Sequence, residues 1–237
     1  MVEISHISYE SQTINIDATE KDTIELKPVI SILPPAIVLP DSYQIKKIGH
    51  FSEKRTTMQG GKNGYTIAEY FSATEFINKM PILTDIILNI NPFVINKTFT
   101  AIEGEQIFGN CVTHIAKLRV DVRNTSDNGL PGESLIDGGI IYETKDKSNL
   151  KTHKTVNIPL ENPLVFPEDG LFIVVEWIVT EDIGKHDSVT PGIWCTQSKD
   201  GSTSWDKWPA GTSWKQINLG KTEQNSRTFC IGLKILE

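Results

Sequence analysis

Trp205, Trp208 and Trp214 fall within the stretch GSTSWDKWPAGTSW (201–214), which holds three of the chain's five tryptophans. An exposed indole is a large, stiff apolar face. Such faces stack on sugar rings or partner side chains with little loss of rotamer freedom. Tyr65 and Tyr70, in YTIAEYFSATEF, are candidates for the same role. On the competing reading, Trp214 packs into the fold and Trp208 covers an edge beside Pro209. On either reading, Trp205 and Trp208 lie in a loop and Trp214 begins a strand.

Other reactive side chains lack the company that chemistry needs. Glu176 sits among apolar residues in LFIVVEWIV (171–179). A buried acid with a raised pKa would be a catalytic candidate. The alternative puts Glu176 on a wetter strand face with Val174 and Ile178. His6, His50, His114, His153 and His186 are scattered, with no HxH, HxxxH or HExxH spacing, so neither a metal nor a cofactor is indicated. No GxSxG motif occurs, and no catalytic residue is assigned. Asp200, Ser202, Ser204 and Asp206 alternate as calcium-loop ligands do, but the glycine and the distal glutamate of such a loop are missing. They read as a polar hairpin loop. Cys111, Cys195 and Cys230 read as buried thiols; in an oxidising compartment the alternative is one disulfide, with Cys195 and Cys230 as the pair.

The elements that must position these residues are strands. In THIAKLRVDVRN, Ile115, Leu118, Val120 and Val122 alternate with polar residues, which is the period of a half-buried strand. ILTDIILNINPFVI is rich in β-branched residues, and YTIAEYFSATEF fits either a helix or a strand edge. GGIIYET, HKTVNIPL, LFIVVEWIV, GIWCTQ, SWKQIN and RTFCIGLKIL follow as short runs bounded by Gly, Pro, Asn or Asp. The pattern predicts an all-β antiparallel sandwich, jelly-roll-like, over residues 45–237. VEISHISYESQTINI and DTIELKPVI predict two further strands around the turn DATEKD. Pro34, Pro35 and Pro40 make residues 34–44 a linker. In GLPGE, Pro131 and Gly132 suit the second and third positions of a turn, and in FPEDG Pro167 and Gly170 do similar work before a buried strand.

GLPGESLI (129–136) follows LRVDVRN, VNIPLENPLVFPEDGLFIVVEWI spans 156–178, and ISHISYESQTINI…DTIELKP precedes the linker. Together these segments resemble the Bacteroidetes proteins described as carboxypeptidase-like regulatory domain-containing proteins. In that group a transthyretin-like β module precedes a second β-sandwich. The resemblance implies that residues 1–33 are the last strands of the first module. It also implies a non-catalytic module exported to the periplasm or cell surface. It names no ligand.

Composition narrows the classes further. A net charge of −7 disfavours a nucleic-acid binder, which needs a basic face. No apolar run reaches the roughly 18 residues of a membrane-spanning helix. MVEISHISYE shows no signal peptide, so either the protein is cytoplasmic or an export signal lies upstream of a truncated chain. The expected function is a non-catalytic structural or interaction module. A carbohydrate-binding module using Trp205, Trp208, Tyr65 and Tyr70 is the first alternative, and a hydrolase with a carboxylate site the second. The partner is a glycan or a protein; a homodimer through the edges of the N-terminal strands is a further expectation.

Overall fold

Alternating apolar residues become strands almost everywhere in the computed structural model. The structure describes residues 2–6, 9–14, 26–27, 43–50, 55–76, 80–91, 97–102, 105–110, 113–143, 154–182, 188–197, 204–211, 213–217 and 227–237. The chain divides into two compact units, Met1–Val38 and Leu39–Glu237.

The N-terminal unit contains a hairpin of β1 (Val2–His6) and β2 (Tyr9–Ile14), with Val2 opposite Ile14. This hairpin closes earlier than the sequence predicts. Both strands precede DATEKD, and Leu26 and Lys27 lie outside any strand, with the Lys27 carbonyl accepting from the Glu10 amide. A two-residue connection carries less closure entropy than one through DATEKD. Residues 34–42 of the expected linker lie outside the described residues.

The second unit is an all-β sandwich. Its first sheet holds β5 (Thr66–Phe71), β10 (Lys117–Thr125), β11 (Pro131–Ser134), β12 (Ile140–Tyr142), β14 (Leu171–Ile178), β17 (Ser204–Lys207) and β18 (Lys215–Gln216). The order is β11-β10-β14-β5-β17-β18, with β12 also on β10. Its second sheet holds β3 (Ile45–Gly49), β4 (Arg55–Gln59), β6 (Ile82–Asn91), β13 (Lys154–Val165), β16 (Gly192–Gln197), β19 (Arg227–Phe229) and β20 (Ile231–Leu236). The order is β19-β16-β6-β20-β3, with β13 on β6 and β4 on β16. The pairings within both sheets are antiparallel, and successive groups of strands alternate between the sheets, as in a jelly roll. A hairpin of β7 (Lys97–Ile102) and β8 (Glu105–Asn110) and a parallel pair, β9 (Thr113–Ile115) with β15 (Ser188–Thr190), complete the strands.

Period-2 geometry sends alternate side chains to opposite faces. Leu118, Val120 and Val122 of β10 and Ile173, Val175 and Trp177 of β14 fill the space between the sheets, against Ile86, Leu88 and Ile90 of β6. Ile115 breaks the expected alternation: it is exposed, because it belongs to β9 and the phase changes at Ala116 before β10 begins. The segment read as helix or strand edge is β5, an interior strand, followed by a 3-10 turn at Ala73–Phe76.

The two turns behave differently. Gly170 takes φ +80° and its amide donates to the Pro167 carbonyl, as PEDG predicts. In GLPGE the left-handed residue is Gly129 (φ +73°), not Gly132, and Pro131 and Gly132 already belong to β11. Gly132 is needed for another reason: Asn124 Oδ1 lies where a Cβ would stand, accepting from the Glu133 amide at 2.7 Å.

Candidate binding groove

The outer face of the first sheet carries what the inner face excludes. In β10, Arg119, Asp121 and Arg123 alternate with the core residues Leu118, Val120 and Val122. In β14 the outer residues are Phe172, Val174 and Glu176. Register aligns them across the strands into rows. One runs Arg119, Glu176, Thr66, Lys207; the next runs Asp121, Val174, Ala68, Trp205, Gln216; a third runs Arg123, Phe172, Tyr70. Neighbours in such rows touch through their side chains.

The middle of this face is a small second apolar cluster. Ala68, Phe172 and Val174 are buried there, under Tyr70, Trp205 and Trp214. Beside it lies a groove of about 320 Å³. Its charged lining is Arg119, Asp121, Arg123, Glu176 and Lys207, and Trp208, Pro209 and Trp214 line it with apolar rings. Arg119 is ion-paired with Glu176, and Arg123 Nε donates to Asp121 Oδ2 at 2.8 Å. Ser134 donates to the other Asp121 oxygen at 2.6 Å. Lys207 stands two strands from Glu176, roughly 10 Å at the backbone, and makes no ion pair among the described residues.

Trp208 projects at the groove with 49% of its surface exposed. Tyr65 supports it from behind, with ring centroids 4.9 Å apart, and Tyr65 in turn lies 5.7 Å from the buried Trp177. The Tyr65 hydroxyl donates to Asp206 Oδ2 at 3.1 Å, and Trp177 Nε1 donates to the Pro191 carbonyl at 2.7 Å. The exposed indole is thereby held by a column of rings rooted in the core.

The sequence candidates separate accordingly. Trp208 lines the groove. Tyr65 does not offer a face: it is 2% exposed, because residue 65 continues the inward phase of Ile67 and Phe71. Trp205 is not in a loop but in β17, half-buried, edge-on to Phe172 at 5.1 Å. Tyr70 also packs on Phe172, with ring centroids 5.1 Å apart and its hydroxyl donating to the Asp169 carbonyl. Trp214 packs on the outer cluster of the sheet rather than into the inter-sheet core.

Glu176 shares its face with Val174, as the alternation implies. The groove's second acid, Asp121, and its cations were missed. Their signal was present in LRVDVRN, where the residues between the apolar ones are all charged.

Ser204 and Asp206 point inward from β17 and are not loop ligands, whereas Asp200 and Ser202 lie outside the described residues. Ser204 belongs to a buried polar cluster that the sequence analysis did not find. Glu69 of β5, 1% exposed, accepts from Ser204 at 2.5 Å on one oxygen and from Thr228 at 2.6 Å on the other. Cys195 and Cys230 are buried thiols and form no disulfide. Cys195 faces the main core opposite Phe229, and Cys230 lies between two core-facing residues, Phe229 and Ile231. His114 meets Glu181 at 2.9 Å, while His153 and His186 lie outside the described residues. Among the described residues no three metal-ligating side chains converge, and no helix is long and apolar enough to cross a membrane.

Comparison with protein-family models, with curated proteins and with solved structures returns no match. The groove must therefore be read from its own chemistry.

Proposed function

We propose that this chain is a non-catalytic β-sandwich module that binds a glycan in the outer-face groove. The observation that carries the reading is Trp208, half exposed on a support of buried rings, beside a row of paired charges. An indole face covers the apolar face of a sugar ring. Arginines offer several donors and carboxylates several acceptors, so each ion pair keeps capacity to spare for sugar hydroxyls, which both donate and accept. Holding is favoured over catalysis because Asp121 and Glu176 are each committed to an arginine. Glycoside hydrolysis needs one acid that gives up a proton and a second that attacks or activates water.

Export to the periplasm or cell surface of a bacterium is part of this proposal and rests on the sequence resemblance. A protein partner is the second reading, and it belongs to the N-terminal hairpin. There β1 pairs with no strand but β2 among the described residues, whereas β2 is also engaged by the Lys27 carbonyl at Glu10, so strand addition is assigned to the edge of β1.

Tryptophan emission titrated with a panel of soluble polysaccharides tests the glycan reading. At least one polysaccharide shifts the emission of the native chain, and Trp208→Ala weakens that binding about tenfold, the order expected for a lost aromatic stacking face. Trp205→Ala is the poorer variant, since Trp205 also packs the sheet. A panel that leaves emission unchanged, or a Trp208→Ala chain that binds as tightly as the native one, refutes it.

A further inference from the structure

Charge accounting in the groove narrows the ligand class. Of three cations, two are neutralised in place: Arg119 by Glu176 and Arg123 by Asp121. Lys207 is the third. It is half-buried, it lines the groove next to Trp208, and no carboxylate pairs with it among the described residues. Its neighbour across the strands is the neutral Thr66, with Glu176 one strand further away. The groove thus holds one excess positive charge on a chain whose net charge is −7.

Lys207 lines the groove without a carboxylate partner among the described residues, so its ammonium keeps its donors available to a ligand. An incoming anion engages them through a charge-assisted hydrogen bond, about twice as strong as a neutral one. Resting on the glycan reading above, we propose that the groove selects acidic saccharides, and that Lys207 is the specificity-determining residue that receives the anionic group. A sugar ring stacked on Trp208 presents its substituents toward the adjacent residue, Lys207. The paired arginines and carboxylates then take the hydroxyls of neighbouring units. Within the groove the two arginines are paired with carboxylates, so selection there depends on Lys207.

The test is calorimetric titration of the full chain with two matched pairs at low salt. Polygalacturonate is set against its fully methyl-esterified form, and dextran sulfate against dextran. The expected result is about tenfold tighter binding of the charged member in at least one pair. The pair that shows it tells a carboxylate from a sulfate. Lys207→Gln removes the preference, so that the charged and neutral members of the pair bind alike. Lys207→Arg retains the preference. Lys47→Gln, an exposed lysine of β3 in the other sheet, retains it as well.

Equal binding of charged and neutral members by the native chain overturns the inference while leaving glycan binding in place. So does a Lys207→Gln chain that keeps the preference, or a Lys47→Gln chain that loses it. If no member of either pair binds, the acidic-saccharide inference falls. Whether the glycan reading falls with it is decided separately by the broader panel and the Trp208→Ala comparison.

Discussion

Removing one hydroxyl from the buried cluster at Glu69 should be felt across the whole sandwich. Thr228 is fully buried and donates to Glu69 Oε1 at 2.6 Å, while Ser204 donates to Oε2 at 2.5 Å. Both carboxyl oxygens accept, which is the pattern of an ionised group. Thr228→Val keeps the shape and replaces the donor with a methyl group. Losing a hydrogen bond to a charged group costs about 1.5–3 kcal/mol, and the added buried methyl returns about 0.8 kcal/mol. The net destabilisation is about 1–2 kcal/mol. For a domain of this size each kcal/mol moves Tm by about 2–4 °C, so differential scanning calorimetry should show a fall of about 2–8 °C. Ser204→Ala should cost a similar amount, and the double variant should depart from the sum, because the two hydroxyls share one acceptor. An unchanged or higher Tm for Thr228→Val would show that the cluster contributes no net stability, and the reasoning from satisfied donors would fail.

Two glycines separate backbone strain from collision. Gly129 and Gly170 both have positive φ, but a Cβ at Gly129 meets open space, whereas one at Gly170 runs into the Tyr70 hydroxyl and the Phe71 carbonyl. Gly129→Ala should cost about 1–2 kcal/mol in urea unfolding, and Gly170→Ala should add about 1–3 kcal/mol of overpacking to a similar strain; equal losses would mean that both the Tyr70 side chain and the Phe71 carbonyl give way. If the edge of β1 recruits a second copy, light scattering of the concentrated chain gives a dimer mass that reverts to monomer when residues 1–14 are deleted, whereas a monomer mass for the intact chain refutes strand pairing.

Much of the sheet structure was legible because it rests on local alternation. Leu118, Val120 and Val122 point inward because each is followed by a charged or polar residue, and the same rule puts Arg119, Asp121 and Arg123 on one outer face. What could not be read is the meeting of distant residues. Glu69 lies 135 residues from Ser204 and 159 from Thr228, and nothing in IAEYF distinguishes an inward acid with donors from an outward one in water. Tyr65 is covered and Trp208 exposed, a difference their sequence surroundings do not reveal. Each is an aromatic near a polar turn and just outside a strand, Tyr65 before β5 and Trp208 after β17, and only the packing of the sheets decides which of them is covered. The turn in GLPGE was misplaced because two glycines compete there. Gly132 answers to Asn124 rather than to a left-handed backbone.

Gln44 and Glu237 exchange both of their backbone hydrogen bonds, at 2.8 and 3.0 Å, next to the paired strands β3 and β20. Tension applied between those two residues would therefore load the ladder rung by rung from one end, like a zip, instead of shearing all its bonds at once. If the module is tethered through these positions, it would yield gradually under pull. Because the two positions are adjacent, it could also sit as a side branch on a longer chain without lengthening that chain's path.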